Sequence, residues 1–377
     1  MSRDELKQPL RQRSLGQRLW QRRPNALLSA YVLVAVSLII SGVWVAKKSR
    51  PFAGEPVITV AVAVPEEIKT ASVQPSIEAD PPLEKPVTKP APSTPEQDAT
   101  VYVNNNRPLA KAPSSLVTES SALGPLPRIG AGNKKPSEVY ARPVSLGVIH
   151  SDSSKIVIIL GGMGLNEKLT SRAAKDLSSD ITFAFAPYGE NLQEQVDKAR
   201  GLGHEVLLQL PLEPVGFPAT NPGPKTLLAD AAPAANLDSL LWHMSRFAGY
   251  VGIINYMGGR FLASDAAVKP LLTELRKRGV LFMEDGSLPV SATDGVAKAM
   301  QFPVRHAHSV IDLDPTPAAI TQALTALEDE AHNNGIAIGT GSGLEVTIDT
   351  LRDWARSAAD RGIIIVPATA AFRGRLG

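Results

Sequence analysis

The sequence predicts an α/β domain over residues 149–377, built as a (β/α) barrel or a doubly wound sheet. The first observation is the segment 155–164, where five consecutive apolar residues, mostly β-branched, end at Gly161, Gly162 and Gly164. Such a run is typical of a strand buried on both faces. The second is the alternation of apolar runs with helical stretches, which gives seven or eight strand–helix units. In such folds the side chains that follow the strands form the functional site.

The predicted elements alternate along this domain. The predicted strands are 156–160, 181–185, 205–210, 251–254, 280–283, 304–308, 336–338 and 363–366, and the predicted helices are 167–177, 192–202, 237–247, 265–278, 315–332 and 346–361. The helix at 265–278 follows Ser264 and ends in three cations before Gly279, which favours these ends. The helix at 315–332 has Asp314 as its expected N-cap.

Composition excludes several classes of function. The formal net charge is +2, and residues 141–377 carry 21 Lys+Arg against 25 Asp+Glu, a slight acidity that argues against nucleic-acid binding. The chain has no cysteine, which excludes disulfides and thiolate metal sites. The glycines after the first strand match neither GxGxxG nor a phosphate-binding loop, so no nucleotide site is predicted.

The N-terminal part carries a predicted membrane anchor. Residues 1–25 are rich in arginine, residues 26–46 contain no charge, and Lys47 and Lys48 follow. The uncharged run is long enough to cross a bilayer as a helix. The heavier positive flank predicts that residues 1–25 stay in the cytoplasm and that the remainder is exported. A cleaved signal peptide is the alternative, although the run exceeds a usual h-region and lacks an A-x-A-like site.

Residues 47–148 form a predicted linker between the anchor and the domain. Prolines recur through it among Ser, Thr and charged residues, and no long apolar period is present. A segment of this composition buries too little surface to offset its ordering entropy, so we expect a disordered or polyproline-like spacer. Its apolar piece at 57–64 has strand character but no assigned partner.

Short motifs follow the predicted strands in a fixed order. They are 159–166 (ILGGMGLN), 183–188 (FAFAPY), 203–214 (GHEVLLQLPLEP), 221–224 (NPGP), 252–261 (GIINYMGGRF) and 335–339 (GIAIG). Together they resemble the divergent polysaccharide deacetylases, a branch of the NodB-like glycoside hydrolase/deacetylase superfamily, over essentially all of 150–370. The resemblance implies a distorted (β/α)7 barrel and a role in carbohydrate or cell-envelope glycan metabolism.

The same resemblance shows that the usual metal ligands are replaced. In the superfamily one aspartate and two histidines hold a divalent metal, which activates water for attack on an acetamide. Gly161 and Gly162 stand where the family usually has two aspartates, and Gln209 and Tyr256 stand where it has histidines. In the late Gly-His-Pro motif the histidine is Ser342. These groups lack charge and donor strength, so no cofactor is expected, and zinc only if the site has been rebuilt.

Polar residues of the matching motifs remain as candidates. Those for substrate binding are Gln209, Glu213, Asn255, Tyr256, Arg260 and Glu284. At the mouth of a barrel such groups can hydrogen-bond sugar hydroxyls or acetamido groups. The alternative for Glu213 and Arg260 is a structural ion pair. Glu213 and Asp285 are the candidate catalytic residues, and Glu213 with Glu284 or Asp285 could form the carboxyl pair of a glycosidase.

A relocated metal site is the alternative to a lost one. His306 and His308 alternate on the predicted strand at 304–308, which would put both imidazoles on one face, and Asp312 and Asp314 follow. Two nitrogens and a carboxylate could hold zinc. Partly exposed histidines at the end of a strand are the simpler interpretation.

The anchor and the resemblance together predict a single-pass inner-membrane protein with a periplasmic, polysaccharide-deacetylase-like domain. Its expected partner is an envelope polysaccharide or a peptidoglycan-like glycan. Whether it is an enzyme stays open among three hypotheses. It is a hydrolase with a rebuilt site, a non-catalytic glycan-binding module, or an envelope scaffold that binds a protein partner.

Overall fold

The structure, a computed structural model, describes residues 107–373. Its strands are β1 (Thr118–Ser121), β2 (Gly124–Pro127), β3 (Ser154–Met163), β4 (Thr182–Phe185), β5 (Val206–Leu212), β6 (Gly252–Met257), β7 (Leu281–Glu284), β8 (Val304–His306), β9 (Ser309–Val310), β10 (Ile336–Ser342) and β11 (Ile363–Ile365). Its α-helices are α1 (Pro136–Val139), α2 (Leu146–His150), α3 (Glu167–Asp176), α4 (Leu192–Gly201), α5 (Pro233–Met244), α6 (Asp265–Arg278), α7 (Thr293–Met300), α8 (Pro317–Asn334) and α9 (Glu345–Arg356). Short 3-10 helices lie at Ala131–Asn133, Ala359–Arg361 and Ala368–Phe372.

Strands β3 to β11 form one curled parallel sheet. Its neighbours run in the order β8, β7, β6, β5, β4, β3, β10, β9, and β11 pairs with the start of β3. The strands at the two ends, β8 and β9, are consecutive parts of one segment. Between them the backbone N of Ala307 donates to the carbonyl O of Glu284 on β7 (2.9 Å), and the N of His308 donates to that of Ile338 on β10 (2.7 Å). One segment therefore bonds to both ends of the strand order, which requires the sheet to curl.

Strand β3 lies inside this sheet, between β4 and β10, and is buried on both faces, as its sequence predicted. All five residues from Ile156 to Leu160 are at most 1% exposed. Ile158 and Leu160 pack against the helices outside the sheet, whereas Val157 and Ile159 belong to a second cluster enclosed by the sheet. Burial of each such side chain stabilises the folded state by about 1.5–3 kcal/mol relative to an exposed position. The alternation produces two core layers from one uninterrupted apolar run.

The helices cover the outside of the sheet, and most of their ends agree with the sequence. Helix α6 begins after Ser264, whose side chain accepts from the N of Ala267, and ends at Gly279 with φ 70°. Helix α8 begins two residues later than predicted, because Thr316 rather than Asp314 provides the N-cap. The sequence prediction missed α7, which is only eight residues long.

Residues 107–150, which we call the base segment, correct the predicted linker boundary. They include the antiparallel β1–β2 hairpin, α1 and α2 rather than a disordered chain. Val117, Tyr140 and Val148 are buried in the same cluster as the residues that the sheet encloses. Arg200 at the end of α4 donates to the carbonyl O atoms of Ala110, Tyr140 and Gly249. The apolar residues of this proline-rich segment follow no regular period, but the base of the sheet buries Val117, Tyr140, Val148 and Ile149 among them.

The predicted cytoplasmic segment 1–25, the predicted membrane helix 26–46 and the linker up to residue 106 lie outside the described residues. Within residues 107–373 there is no helix with the length and hydropathy needed to span a bilayer.

Candidate functional site

The carboxyl ends of the strands surround a cavity of about 640 Å³, which we call the mouth cavity. Most of its lining is apolar or glycine. The polar side chains in the lining are Asn166, Tyr188, Gln209, Asn255, Tyr256, Asp285, Ser287, Thr340 and Ser342. Of the residues predicted from the sequence, the structure therefore brings together Gln209, Asn255, Tyr256 and Asp285.

Gln209, on β5, reaches across to the end of β3. Its Oε1 accepts a hydrogen bond from the backbone N of Gly162 (2.9 Å). A Cβ added to Gly161 would lie 2.7 Å from Gln209 Nε2, closer than Cβ atoms come to other atoms. The amide thus fills the space where a side chain at position 161 would begin. Gly162 has φ 72°, in the left-handed region that favours glycine, and nothing lies within 4 Å of a Cβ built on it.

Asn255 holds the floor of the mouth cavity together. This residue is fully buried; its Nδ2 donates to the carbonyl O of Met257 (2.7 Å) and its Oδ1 accepts from the backbone N of Asp285 (2.8 Å). Thr340 Oγ1 donates to the carbonyl O of Asp285 (2.6 Å), so the ends of β6, β7 and β10 are cross-linked. Because the amide of Asn255 is bonded at both ends inside the protein, its geometry fits a positioning role. Its predicted contact with substrate stays a prediction.

Several polar atoms in the lining remain available to a ligand. Asp285 Oδ1 accepts from the backbone N and the Oγ of Ser287 (2.9 and 2.6 Å), which leaves Oδ2 facing no donor among residues 107–373. Within the same residues, Gln209 Nε2, Ser342 Oγ and the Tyr256 hydroxyl make no hydrogen bond. The cavity therefore offers an amide donor, a carboxylate acceptor and two hydroxyls.

Two tyrosines form an aromatic side of the mouth cavity. Tyr188 follows β4, and its hydroxyl donates to the carbonyl O of Pro224 (2.8 Å). Burial raises the pKa of Tyr188, and the nearby Tyr256 raises it further. Tyr188 is therefore neutral across the physiological range. Tyr256 is 40% exposed, so its ring is accessible from solvent at the edge of the cavity.

Glu213 and Arg260 lie outside the lining of the mouth cavity. Glu213 is 3% exposed, with Oε1 2.7 Å from Arg260 Nη1 and Oε2 accepting from the backbone N of Ala229 (2.6 Å). Arg260 also pairs with Asp230. This is the structural ion pair that the sequence left open. The two residues therefore do not line the mouth cavity with Gln209, and each oxygen of Glu213 already has a partner. The predicted roles of Glu213 in catalysis and of both residues in substrate binding stay predictions.

Glu284 is also displaced from the mouth cavity, although it ends the strand just before Asp285. Its Oε1 accepts from Ser291 Oγ (2.6 Å), and its Oε2 lies 3.3 Å from His306 Nδ1. Burial opposes ionisation of Glu284, but the hydrogen bonds from His306, Ser291 and Thr293 outweigh it and lower the pKa. We therefore assign Glu284 to a network at the edge of the sheet, and substrate binding by it stays a prediction.

The two histidines of the alternative metal site have different partners. His306 Nε2 lies 2.7 Å from Asp294 Oδ1, whereas His308 Nδ1 accepts from the backbone N of Ile338 (3.0 Å) and its Nε2 faces Glu330. Strand β8 ends at His306, so the alternation that would align the two imidazoles is broken. Residues 107–373 contain no group of three or more His, Asp or Glu side chains arranged to hold a metal ion.

We expect the ion pairs of His306 to make stability depend on pH. The hydrogen bond to Glu284 raises the pKa of His306 to about 9; burial opposes this, and Asp294 adds to it. Because the pKa of His306 is higher in the folded than in the unfolded state, protonation of this side chain stabilises the folded state. The stabilisation is complete below about pH 6.5 and is lost as the pH rises through about 9. The side chain is 36% exposed, so solvent screening reduces the effect to about 1 kcal/mol.

The measurement is thermal unfolding of the wild type, His306→Gln and the exposed-site control His150→Gln between about pH 6 and pH 10. At the acidic end of this range the wild type should unfold at a higher temperature than His306→Gln. At the alkaline end the two unfolding temperatures should be the same. A difference that stays constant with pH would show that His306 acts only by packing.

The sequence did not single out Tyr188, Thr340 or Asn166 as site residues. Asn166 and Tyr188 lie in the loops just after β3 and β4, and Thr340 lies in the carboxyl-terminal half of β10; these positions were the signal that could have found them. Thr340 was the least accessible to sequence reasoning, since its role depends on the pairing of β10 beside β9 and on a contact with Asp285.

A curled parallel sheet with outer helices and a cavity at its strand ends defines an α/β domain that is consistent with a NodB-like fold. The particular family follows from its family model, described as divergent polysaccharide deacetylase, which matches residues 158–372. The match covers more than half of the chain, and the chain belongs to this family. The resemblance stated from the motifs is confirmed.

Relatives of this chain share the domain without adding a function. The crystal structure of an uncharacterized protein from Agrobacterium tumefaciens C58 is 42% identical, with a TM-score of 0.63, and the match covers 66% of this chain and 99% of that one. An uncharacterized Haemophilus influenzae protein is 23% identical over 199 residues, which is 53% of this chain and 70% of the relative. The Escherichia coli K12 protein YibQ, also uncharacterized, is 23% identical over 203 residues, 53% of this chain and 62% of YibQ.

Proposed function

We propose that the domain binds N-acetylated envelope glycan in the mouth cavity and does not hydrolyse it through a bound metal. Membership of the divergent polysaccharide deacetylase family supports the glycan. The observation that carries the proposal is the position of Gln209. Its amide fills the space above Gly161 and is fixed by the backbone N of Gly162, at the two positions where the family usually has its aspartates.

The donor set of the mouth cavity does not fit a catalytic metal. Zinc is held by anionic or imidazole ligands, and hydrolytic sites keep three of them with one open position. Gly162 offers no side chain, Gln209 uses its oxygen on Gly162, and the tyrosine hydroxyl of Tyr256 is not among the ligands that zinc usually takes. Asp285 is the only carboxylate that the described part of the chain contributes to the lining.

The same cavity suits recognition of an acetamido sugar. Gln209 Nε2 can donate to the acetamido carbonyl oxygen, and Asp285 Oδ2 can accept from a hydroxyl or the acetamido N–H. Tyr188 and Tyr256 offer aromatic surface to the apolar face of a sugar ring. Because Asn255 fixes the backbone of Asp285, the floor is preorganised and little ordering is needed on binding.

The location is part of the proposal as well. The uncharged run 26–46 with its basic flanks supports an inner-membrane anchor, and residues 47–106 would be the spacer that lets a periplasmic domain reach glycan. A scaffold role with a protein partner has no specific observation in its favour.

Binding of chitotetraose by the purified full chain, measured by isothermal titration calorimetry, tests this function. Gln209→Leu keeps the bulk above Gly161 but removes the amide, and we expect it to weaken binding about tenfold through one lost hydrogen bond. The exposed Gln322 on α8 provides the matched control Gln322→Leu, which should bind as the wild type does.

Two results would count against the proposal. Unchanged affinity in Gln209→Leu would remove the amide from the binding site. Acetate release from the oligosaccharide that stops on chelation and returns with zinc would show that the metal reaction has been retained.

A further inference from the structure

Three leucines form an aliphatic side of the mouth cavity. Leu165, Leu313 and Leu344 line it and are 59%, 81% and 43% exposed. They follow β3, β9 and β10, which are neighbours in the sheet. Single exposed leucines are ordinary, but a group of them beside a cavity marks a surface that meets an apolar partner.

Contacts between the loops hold these leucines on one side. The backbone N of Gly343 donates to the carbonyl O of Gly161 (2.9 Å), and the N of Ser342 donates to Asp312 Oδ2 (2.7 Å). The loop that carries Leu344 is thus tied to the end of β3 before Leu165 and to the residue before Leu313. The aromatic side consists of Tyr188, which follows β4, and Tyr256, which lies on β6. In the strand order these strands are on the other side of β3 from β10 and β9.

The charge of the lining limits what can occupy the cavity. Among the lining residues that lie within 107–373, Asp285 is the one charged residue, and none of them is Lys, Arg or His. A phosphate or carboxylate headgroup would meet a carboxylate with no cation to balance it, which disfavours anionic lipids. At about 640 Å³ the cavity matches a single small amphiphile rather than a folded partner.

We propose that the mouth cavity takes a neutral glycolipid-like amphiphile. Its sugar head lies on the polar floor at Gln209 and Asp285, and its aliphatic chain lies along Leu165, Leu313 and Leu344. This inference rests on the proposed function for the head and adds the chain as a second recognition element. The bound aliphatic chain would cover three leucines that are otherwise exposed to water. The burial of aliphatic surface on both partners is favourable.

The experiment uses glycosides of N-acetylglucosamine with methyl, hexyl and octyl aglycones, titrated into the full chain below their micelle concentrations. Affinity should rise with chain length, by at most about fourfold for each buried methylene. The double variant Leu313→Ser/Leu344→Ser should lose most of this gain while it binds the methyl glycoside as before. Leu123→Ser, at a leucine in the β1–β2 turn that is 51% exposed, is the matched control and should keep the gain.

Other outcomes separate this inference from the proposed function. Equal affinity for the methyl and octyl glycosides would overturn the aliphatic side and leave glycan binding in place. Octanol binding as tightly as octyl glycoside would overturn the sugar head, and with it the proposed function. Tight binding of octyl phosphate would overturn the requirement for a neutral head.

Discussion

The triple variant Gly162→Asp/Gln209→His/Tyr256→His should bind one zinc ion per chain, whereas the wild type should bind none firmly. The changes place a carboxylate and two imidazoles at positions that all line the mouth cavity, on β3, β5 and β6. Aspartate tolerates the left-handed backbone at position 162 better than most residues, and no atom obstructs a Cβ there. Three such ligands with an open fourth position are the arrangement of a catalytic zinc site.

Metal analysis after dialysis, with zinc titrated by calorimetry, checks this result. The variant Gly162→Ala/Gln209→Ala/Tyr256→Ala is the control, because it changes the same positions without adding ligands. A folded triple variant that takes up no zinc would show that the three strand ends do not converge as the family resemblance implies. Zinc retained by the wild type would contradict the proposed loss of the metal reaction.

The second large effect is expected from Arg200→Ala, which should lower the free energy of unfolding by about 4 kcal/mol. The guanidinium is 2% exposed and donates to the carbonyl O atoms of Ala110, Tyr140 and Gly249. Burial lowers its pKa to about 10, so it still carries its proton and all its donors at neutral pH. Removal leaves three carbonyls without this donor and frees the base segment from the sheet.

Urea unfolding and limited proteolysis together measure this change. Early cleavage within residues 107–150 should accompany the loss of stability. Arg276→Ala removes an exposed guanidinium that donates to the carbonyl O of Met300, and we expect it to change stability by about 0.5 kcal/mol at most. Arg200→Lys should lie between the two, since one ammonium cannot reproduce a planar fork. A loss below about 1 kcal/mol in Arg200→Ala would show that the base segment is held by its apolar residues alone.

The sequence was sufficient to predict those features of the fold that depend on patterns among neighbouring residues. The burial of β3, the caps of α6 and the position of the site at the strand ends all follow from neighbouring residues or from strand order. Features that depend on packing across the chain were missed. The base segment lacks any regular apolar period, and its order comes from partners such as Arg200, far along the sequence.

The candidate site divides in the same way. Motif matching named Gln209 and Tyr256, and both line the mouth cavity because they lie towards the carboxyl ends of β5 and β6. It could not show that Glu213 turns to Arg260, because this contact joins the loop after β5 to the loop after β6. It also assumed that β8 continues through His308, whereas the strand ends at His306 and the chain crosses to β10.

The contact between Gln209 and the end of β3 limits which substitutions can be accepted at position 161 during evolution. An acid introduced at position 161 alone would meet the amide, and Gln209 could yield only by giving up its bond to Gly162. A side chain at position 161 is therefore accommodated only when a second substitution, at position 209 on a separate strand, removes the obstructing amide. Lineages that acquired this glutamine should keep it in company with glycine at 161, and surveys of natural variation can look for the pair.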